Sequence, residues 1–171
     1  LGSDYSVSAL YTPPNLAALE PTILRARERQ GATLFPTSAA GLRGLVRGMK
    51  AGHVVVLLPD QVPTGETGGI MSKFFDREAL TMSLARRIAK VGKPKIIMAC
   101  AWREIDTKGI NYNISFELPE AGISSQEDEI YAAALNNSVQ KIVEKDFAQY
   151  QWSYKRFRRL GLDKEDIYRR Q

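Results

Sequence analysis

At 171 residues, with 44% apolar and 25% charged side chains, the chain can bury one sizeable core and has the balance of an ordinary globular domain. It holds no apolar run of about 18 residues and no signal-peptide pattern, so the sequence offers no membrane-spanning helix. A single cysteine (Cys100) and a single histidine (His53) exclude an internal disulfide, a multi-cysteine zinc site and a histidine-rich metal site, while the net charge of +5 favours anionic partners.

The elements alternate along the chain. Leu1-Gly2-Ser3-Asp4 carries no initiating Met and runs directly into a strand over 7–11, so the sequence is expected to be a piece of a longer protein. Pro13-Pro14 stop that strand. Asn15 caps a helix with Leu16, Leu19, Ile23 and Leu24 on one side, Pro21 marks a break or restart, and Gly31 suits the left-handed position that ends a helix. A short strand over 32–35 follows. Ser38 caps a helix whose Leu42, Leu45, Val46 and Met49 recur at helical spacing, and Gly52 closes it. The run 53–58 is apolar without alternation, as in a central parallel strand covered on both faces. Asp76 is expected to cap a helix over 77–91, and 95–103 is the next strand, placing Cys100 as a buried, inert thiol. Asp106-Thr107-Lys108-Gly109 turns it into 112–118, where Tyr112, Ile114, Phe116 and Leu118 alternate with polar residues, the period of an antiparallel, half-exposed strand. Ser125-Gln126-Glu127-Asp128 has the form of a capping box, and a helix to about Phe147 uses Ile130, Leu135, Ile142 and Val143 as apolar contacts. This order predicts an α/β fold: one domain with a mixed, mostly parallel sheet flanked by helices.

Asp60 ends the apolar strand and precedes a Pro- and Gly-rich loop over 62–69. Ligands gather beyond the carboxyl ends of strands in open α/β sheets, so an acid here is placed for chemistry; a carboxylate capping loop amides is the alternative. Gly65-Glu66-Thr67-Gly68-Gly69 lacks the Gly-Lys-Ser/Thr of a phosphate loop and reads instead as a mobile loop over the site. Arg25, Arg27 and Arg29 lie two apart on a helix, so at most one points into a site. His53, at the start of its strand, reads as structural. Between Lys141 and Gln171 nine basic residues stand against five acidic ones. There Trp152, Tyr154 and Phe157 interleave with Lys155, Arg156, Arg158 and Arg159, a pattern that suits an anionic membrane interface or single-stranded nucleic acid. No nucleic-acid motif accompanies it, and Trp152 and Phe157 are expected to pack a last helix onto the core.

Three groups of residues resemble the secondary acyltransferases of bacterial lipid A biosynthesis, the lauroyl/myristoyl transferase family. They are Ser8-Ala9-Leu10-Tyr11-Thr12-Pro13-Pro14; Val54-Val55-Val56-Leu57-Leu58-Pro59-Asp60-Gln61 running on to Gly68-Gly69 and Phe74-Phe75-Asp76-Arg77-Glu78-Ala79-Leu80-Thr81; and Gln149-Tyr150-Gln151-Trp152-Ser153-Tyr154-Lys155-Arg156-Phe157. The family's His, followed five residues later by Asp or Glu, is expected upstream of this sequence. The resemblance implies a glycerolipid-acyltransferase-like fold in which residues 1–171 form the C-terminal, larger part of the acyltransferase domain. It implies transfer of a fatty acyl chain from acyl carrier protein or a coenzyme A thioester to a hydroxyl of a lipid A precursor. The setting would be the cytoplasmic face of the bacterial inner membrane, with no cofactor and no metal. Asp60 and Arg27 are then the catalytic candidates, Arg29 being the alternative arginine, and Gln61, Lys155 and Arg156 with Arg29 are the substrate-binding candidates. By itself this piece is expected to be inactive. Acylation of another glycolipid, such as a phosphatidylinositol mannoside, and a non-catalytic domain that binds anionic lipid or nucleic acid remain the alternatives.

Overall fold

A computed structural model describes residues 5–29, 31–63, 68–158 and 167–168. The chain divides into two compact units, Leu1–Leu58 with Lys90–Pro94, and Pro59–Ala89 with Lys95–Gln171.

In the first unit, β1 (Val7–Tyr11) is the middle strand of a parallel three-stranded sheet, flanked by β2 (Ala32–Pro36) and β3 (Val54–Val56). Pro21 sits in the first turn of α1 (Glu20–Glu28), where its missing N–H costs nothing, so the restart expected there occurs. Gly31, at φ +80°, closes the helix by donating to the Glu28 carbonyl at 2.8 Å. Ser38 caps α2 (Ala39–Lys50), its hydroxyl accepting from the Gly41 amide at 3.1 Å. The face of α2 that packs is narrower than the apolar spacing suggests. Gly41, Gly44, Leu45 and Gly48 are buried, whereas Leu42, Val46 and Met49 are only half-buried. A Cβ on Gly44 would lie 2.5 Å from the Phe35 ring and one on Gly48 2.8 Å from the Ser8 hydroxyl, so the glycines let the helix approach the sheet closely. The His53 ring is 2.9 Å from that hydroxyl, in keeping with a structural histidine.

β3 is an edge strand among the described residues, paired on one side by β1, not the central strand expected, and Val54 and Val56 are exposed on one face.

The second unit is built around α4 (Asp128–Val143). Here the expected helix over 77–91 gives way to a hairpin, β4 (Gly69–Phe74) with β5 (Arg77–Met82), and helix begins only at α3 (Leu84–Gly92). Asp76 caps nothing. It forms the two-residue turn with Phe75, both at positive φ (60° and 48°), as a tight hairpin turn requires. A bulky residue rarely sits there; the Phe75 amide donates to Gln140 Oε1 at 3.1 Å and its ring packs against Phe147 and Trp152.

β6 (Met98–Asp106) and β7 (Gly109–Glu117) pair antiparallel, as the period-two pattern indicated. The covered side is the unexpected one. Tyr112, Ile114, Phe116 and Leu118 are exposed, while Ser115 takes the Trp102 indole N–H at 2.8 Å, Glu117 pairs with Lys145 at 2.6 Å, and Met98 enters the core. Cys100 is half-buried.

The capping box does not form. Ser125 Oγ accepts from the Glu127 amide, Glu127 is the N-cap, and Asp128 instead pairs with Arg86. α4 ends at Val143, short of Phe147, and its core residues are Tyr131, Ala132, Ala134, Leu135, Val139 and Val143, with Ile130 exposed. One cluster gathers Tyr131 and Leu135 with Met82 and Ile123; a second gathers Val139 and Val143 with Phe74, Ala79 and Met98.

The α/β class is as expected, with the parallel strands in the first unit and β4–β5 and β6–β7 forming separate antiparallel pairs. Among the described residues no helix is long and apolar enough to cross a membrane.

Candidate active site

Asp60 belongs to the second unit and is half-buried. The segment that carries it is held by residues 150–158. That stretch is not the helix expected. It is a succession of tight turns, with Trp152 N–H donating to the Tyr150 carbonyl (2.9 Å), Tyr154 to Gln151 (3.0 Å) and Arg156 to Tyr154 (2.7 Å).

These turns aim three polar side chains inward. The Tyr154 hydroxyl accepts from the Val62 amide at 2.7 Å, two residues from Asp60. The Tyr150 hydroxyl is buried within reach of the Asp60 carboxylate. Burial pushes the Tyr150 pKa well above the usual tyrosine value; the Asp60 charge adds to that rise and Arg156 opposes it. Arg156 is 2% exposed. Its guanidinium donates to the Leu80 carbonyl at 2.7 Å and to Thr81 Oγ1 and Asn136 Oδ1, each at 3.2 Å, and lies over the Phe74 ring at 5.5 Å. Burial lowers its pKa, opposed by Tyr150 and Asp60, but an arginine keeps its charge in such a place.

Asn136 completes the network. Its amide N–H₂ donates to Thr81 Oγ1 at 2.8 Å and to the Lys73 carbonyl at 2.9 Å, joining α4 to both strands of the β4–β5 hairpin. A carboxylate at the head of a loop is thus backed by two tyrosines and a fixed buried cation. Such an acid can orient a basic group or accept a proton-bearing one without moving.

Arg156 is therefore not part of an exposed basic patch, as its place among cations suggested; its charge is spent on internal acceptors. Lys155 is exposed, with its ammonium 5.7 Å from the Tyr168 ring centre, and Arg158 stacks over Tyr154 at 5.5 Å. Arg159, Lys164, Arg169 and Arg170 lie outside the described residues, as does most of the loop expected to cover the site, 64–67. Phe157 packs against Phe74 as expected (6.1 Å between ring centres), whereas Trp152 stays 47% exposed among Tyr150, Phe75 and Phe147. Gln61 is exposed. Arg27, in the last turn of α1, and Arg29, at its C-cap, are both exposed and belong to the first unit.

Burial raises the Cys100 thiol pKa, with Glu117 adding and Lys145 opposing, so it is not an activated nucleophile. The residues that sequence reasoning missed are Asn136, Thr81 and Tyr150. Asn136, a polar residue amid the apolar positions of a helix, and Tyr150, inside the Gln149–Phe157 motif, left a signal.

The sequence model of the bacterial lipid A biosynthesis acyltransferases matches residues 1–159. Two curated proteins, the lipid A biosynthesis palmitoleoyltransferase of Escherichia coli (strain K12) and the lipid A biosynthesis acyltransferase of Shigella flexneri, are each 25% identical to the chain over 169 residues. Each alignment takes in 98% of this chain and 53% of the relative, so the chain spans about half the length of the curated proteins it matches.

Proposed function

The chain belongs to the bacterial lipid A biosynthesis acyltransferase family, and on that premise we propose that it serves in fatty acyl transfer to a hydroxyl of a lipid A precursor. The observation that carries the reading is the family match across residues 1–159, which takes in Asp60 and the Gln149–Phe157 tail together. The acyl donor is a thioester of acyl carrier protein or coenzyme A. In the reaction the acceptor hydroxyl loses its proton to a general base, its oxygen attacks the thioester carbonyl, and the thiol leaves. The base is the histidine of the His-x4-Asp/Glu motif expected from the resemblance.

Within this chain Asp60 orients a basic group at the reacting centre, and Arg27, or Arg29 in its place, polarises the thioester carbonyl or clamps a phosphate of the acceptor. Gln61 lies next to Asp60 in sequence and is exposed, so it is free to meet substrate. Lys155 and Arg158 meet anionic lipid headgroups at the cytoplasmic face of the inner membrane.

The test is acyl transfer by the full-length protein, with a lipid A precursor as acceptor and acyl carrier protein or coenzyme A thioesters offered in parallel. Formation of an ester on the precursor with one donor supports the reading and identifies the donor. No product with either overturns it, and acylation of a phosphatidylinositol mannoside alone shifts the acceptor to that glycolipid.

A further inference from the structure

We infer that Tyr150 and Tyr154, anchored by Arg156, form the frame that positions Asp60; the inference rests on the reading of Asp60 as a site residue. Two prolines bound the Asp60 segment, Pro59 and Pro63, so only Asp60, Gln61 and Val62 between them carry backbone N–H groups. The Val62 N–H goes to the Tyr154 hydroxyl at 2.7 Å. Tyr154 is therefore a tether on the short segment that aims the carboxylate. The tether is fixed at its other end, because Arg156, two residues further on, is clamped to Leu80, Thr81 and Asn136.

Tyr150 adds a different kind of observation. Its hydroxyl is buried within reach of the Asp60 carboxylate, whose charge and hydrogen bonding both act on it. A buried hydroxyl whose hydrogen bonding falls to that one carboxylate adds little net stability, so phenylalanine would cost the fold little. A hydroxyl kept there acts on the neighbouring carboxylate, limiting the directions in which Asp60 can turn. Packing alone does not need it, since the Tyr150 ring already lies against Phe74 and Trp152 (6.2 and 4.8 Å between centres). Tyr150 and Tyr154 are positioning residues in this account, acting on the reaction through Asp60.

The experiment uses the full-length protein carrying Tyr150→Phe, Tyr154→Phe or Asp60→Asn, and each tyrosine change combined with Asp60→Asn. Hydrogen exchange of the peptide spanning 59–63 is read first, since it needs no activity. Tyr154→Phe should speed exchange of that peptide about tenfold and leave α4 unchanged. Turnover is read second. Each tyrosine change should lower kcat about 10- to 100-fold with KM nearly constant, and neither should lower it further once Asp60 is Asn. Tyr150→Phe should do this with a nearly unchanged melting temperature.

Unchanged exchange in Tyr154→Phe overturns the tether. A kcat loss of the same size with and without Asp60 overturns positioning through that carboxylate. An inactive wild-type protein counts against the acyltransferase reading, and the exchange arm then still decides the frame.

Discussion

Replacing Arg156 by Met keeps most of the volume of the aliphatic stem and removes the guanidinium from three acceptors: the Leu80 carbonyl, Thr81 Oγ1 and Asn136 Oδ1. Hydrogen bonds to a charged donor contribute about 1.5–3 kcal/mol each, so the gross loss is about 5–9 kcal/mol. Against it stands the cost of holding a cation that is 2% exposed, which is several kcal/mol and is regained when the charge goes. The remaining difference predicts that Arg156→Met destabilises by about 2–4 kcal/mol. Arg156→Lys, which can reach one acceptor but not fork between three, should cost about half of that. Equilibrium urea unfolding of the full-length protein, with Lys155→Gln as an exposed control within about 0.5 kcal/mol of wild type, measures both. Unchanged or increased stability in Arg156→Met would refute the reasoning, because the desolvation cost would then outweigh the bonds. Equal stability of Arg156→Lys and wild type would show that the fork geometry is irrelevant.

A Cβ on Gly41 would fall well inside contact distance of the Pro36 carbonyl oxygen, a backbone atom that cannot swing away, so Gly41→Ala should destabilise by about 3 kcal/mol in the same assay. The Tyr131 hydroxyl is buried, donates to the Met82 carbonyl at 3.1 Å, and has its pKa pushed up to about 12 by burial, with Arg86 opposing. An unfolded tyrosine ionises near pH 10, so the unfolded state sheds its proton first and this group's contribution, complete below about pH 10, is lost as pH rises towards 12. Alkaline unfolding should show a loss of up to about 3 kcal/mol across that window, and Tyr131→Phe should abolish this part of the slope. Changing exposed Lys155 and Arg158 to Gln should weaken binding to anionic vesicles by about 2 kcal/mol at low salt; equal binding of wild type to neutral vesicles would remove the membrane-surface reading.

Local signals were legible where local chemistry decides. Ser38, Pro21, Gly31 and Gly52 each sit where a cap, a first turn or a left-handed residue is needed, and the elements they bound are present. The β4–β5 hairpin was illegible because its turn is Phe75-Asp76, without the Asn-Gly or Asp-Gly that usually supplies positive φ, and the following residues also fit a helical spacing. For β7 the period was readable but not the side: alternation distinguishes two faces without saying which one a partner covers. Asp60 could be singled out from its place after an apolar run. Its surroundings could not, since Asn136 and Arg156 are 20 residues apart and meet only through tertiary packing. A cation among cations reads as surface until the acceptors that bury it are known.

The central claim is that Asp60 serves acyl transfer and not the fold. Its most direct test is turnover and thermal unfolding of Asp60→Ala measured side by side in the full-length protein, with a lipid A precursor and the preferred thioester. The account predicts a fall in kcat of at least about 100-fold with the melting temperature of the wild type. Retained activity, or activity and fold lost together, would contradict it.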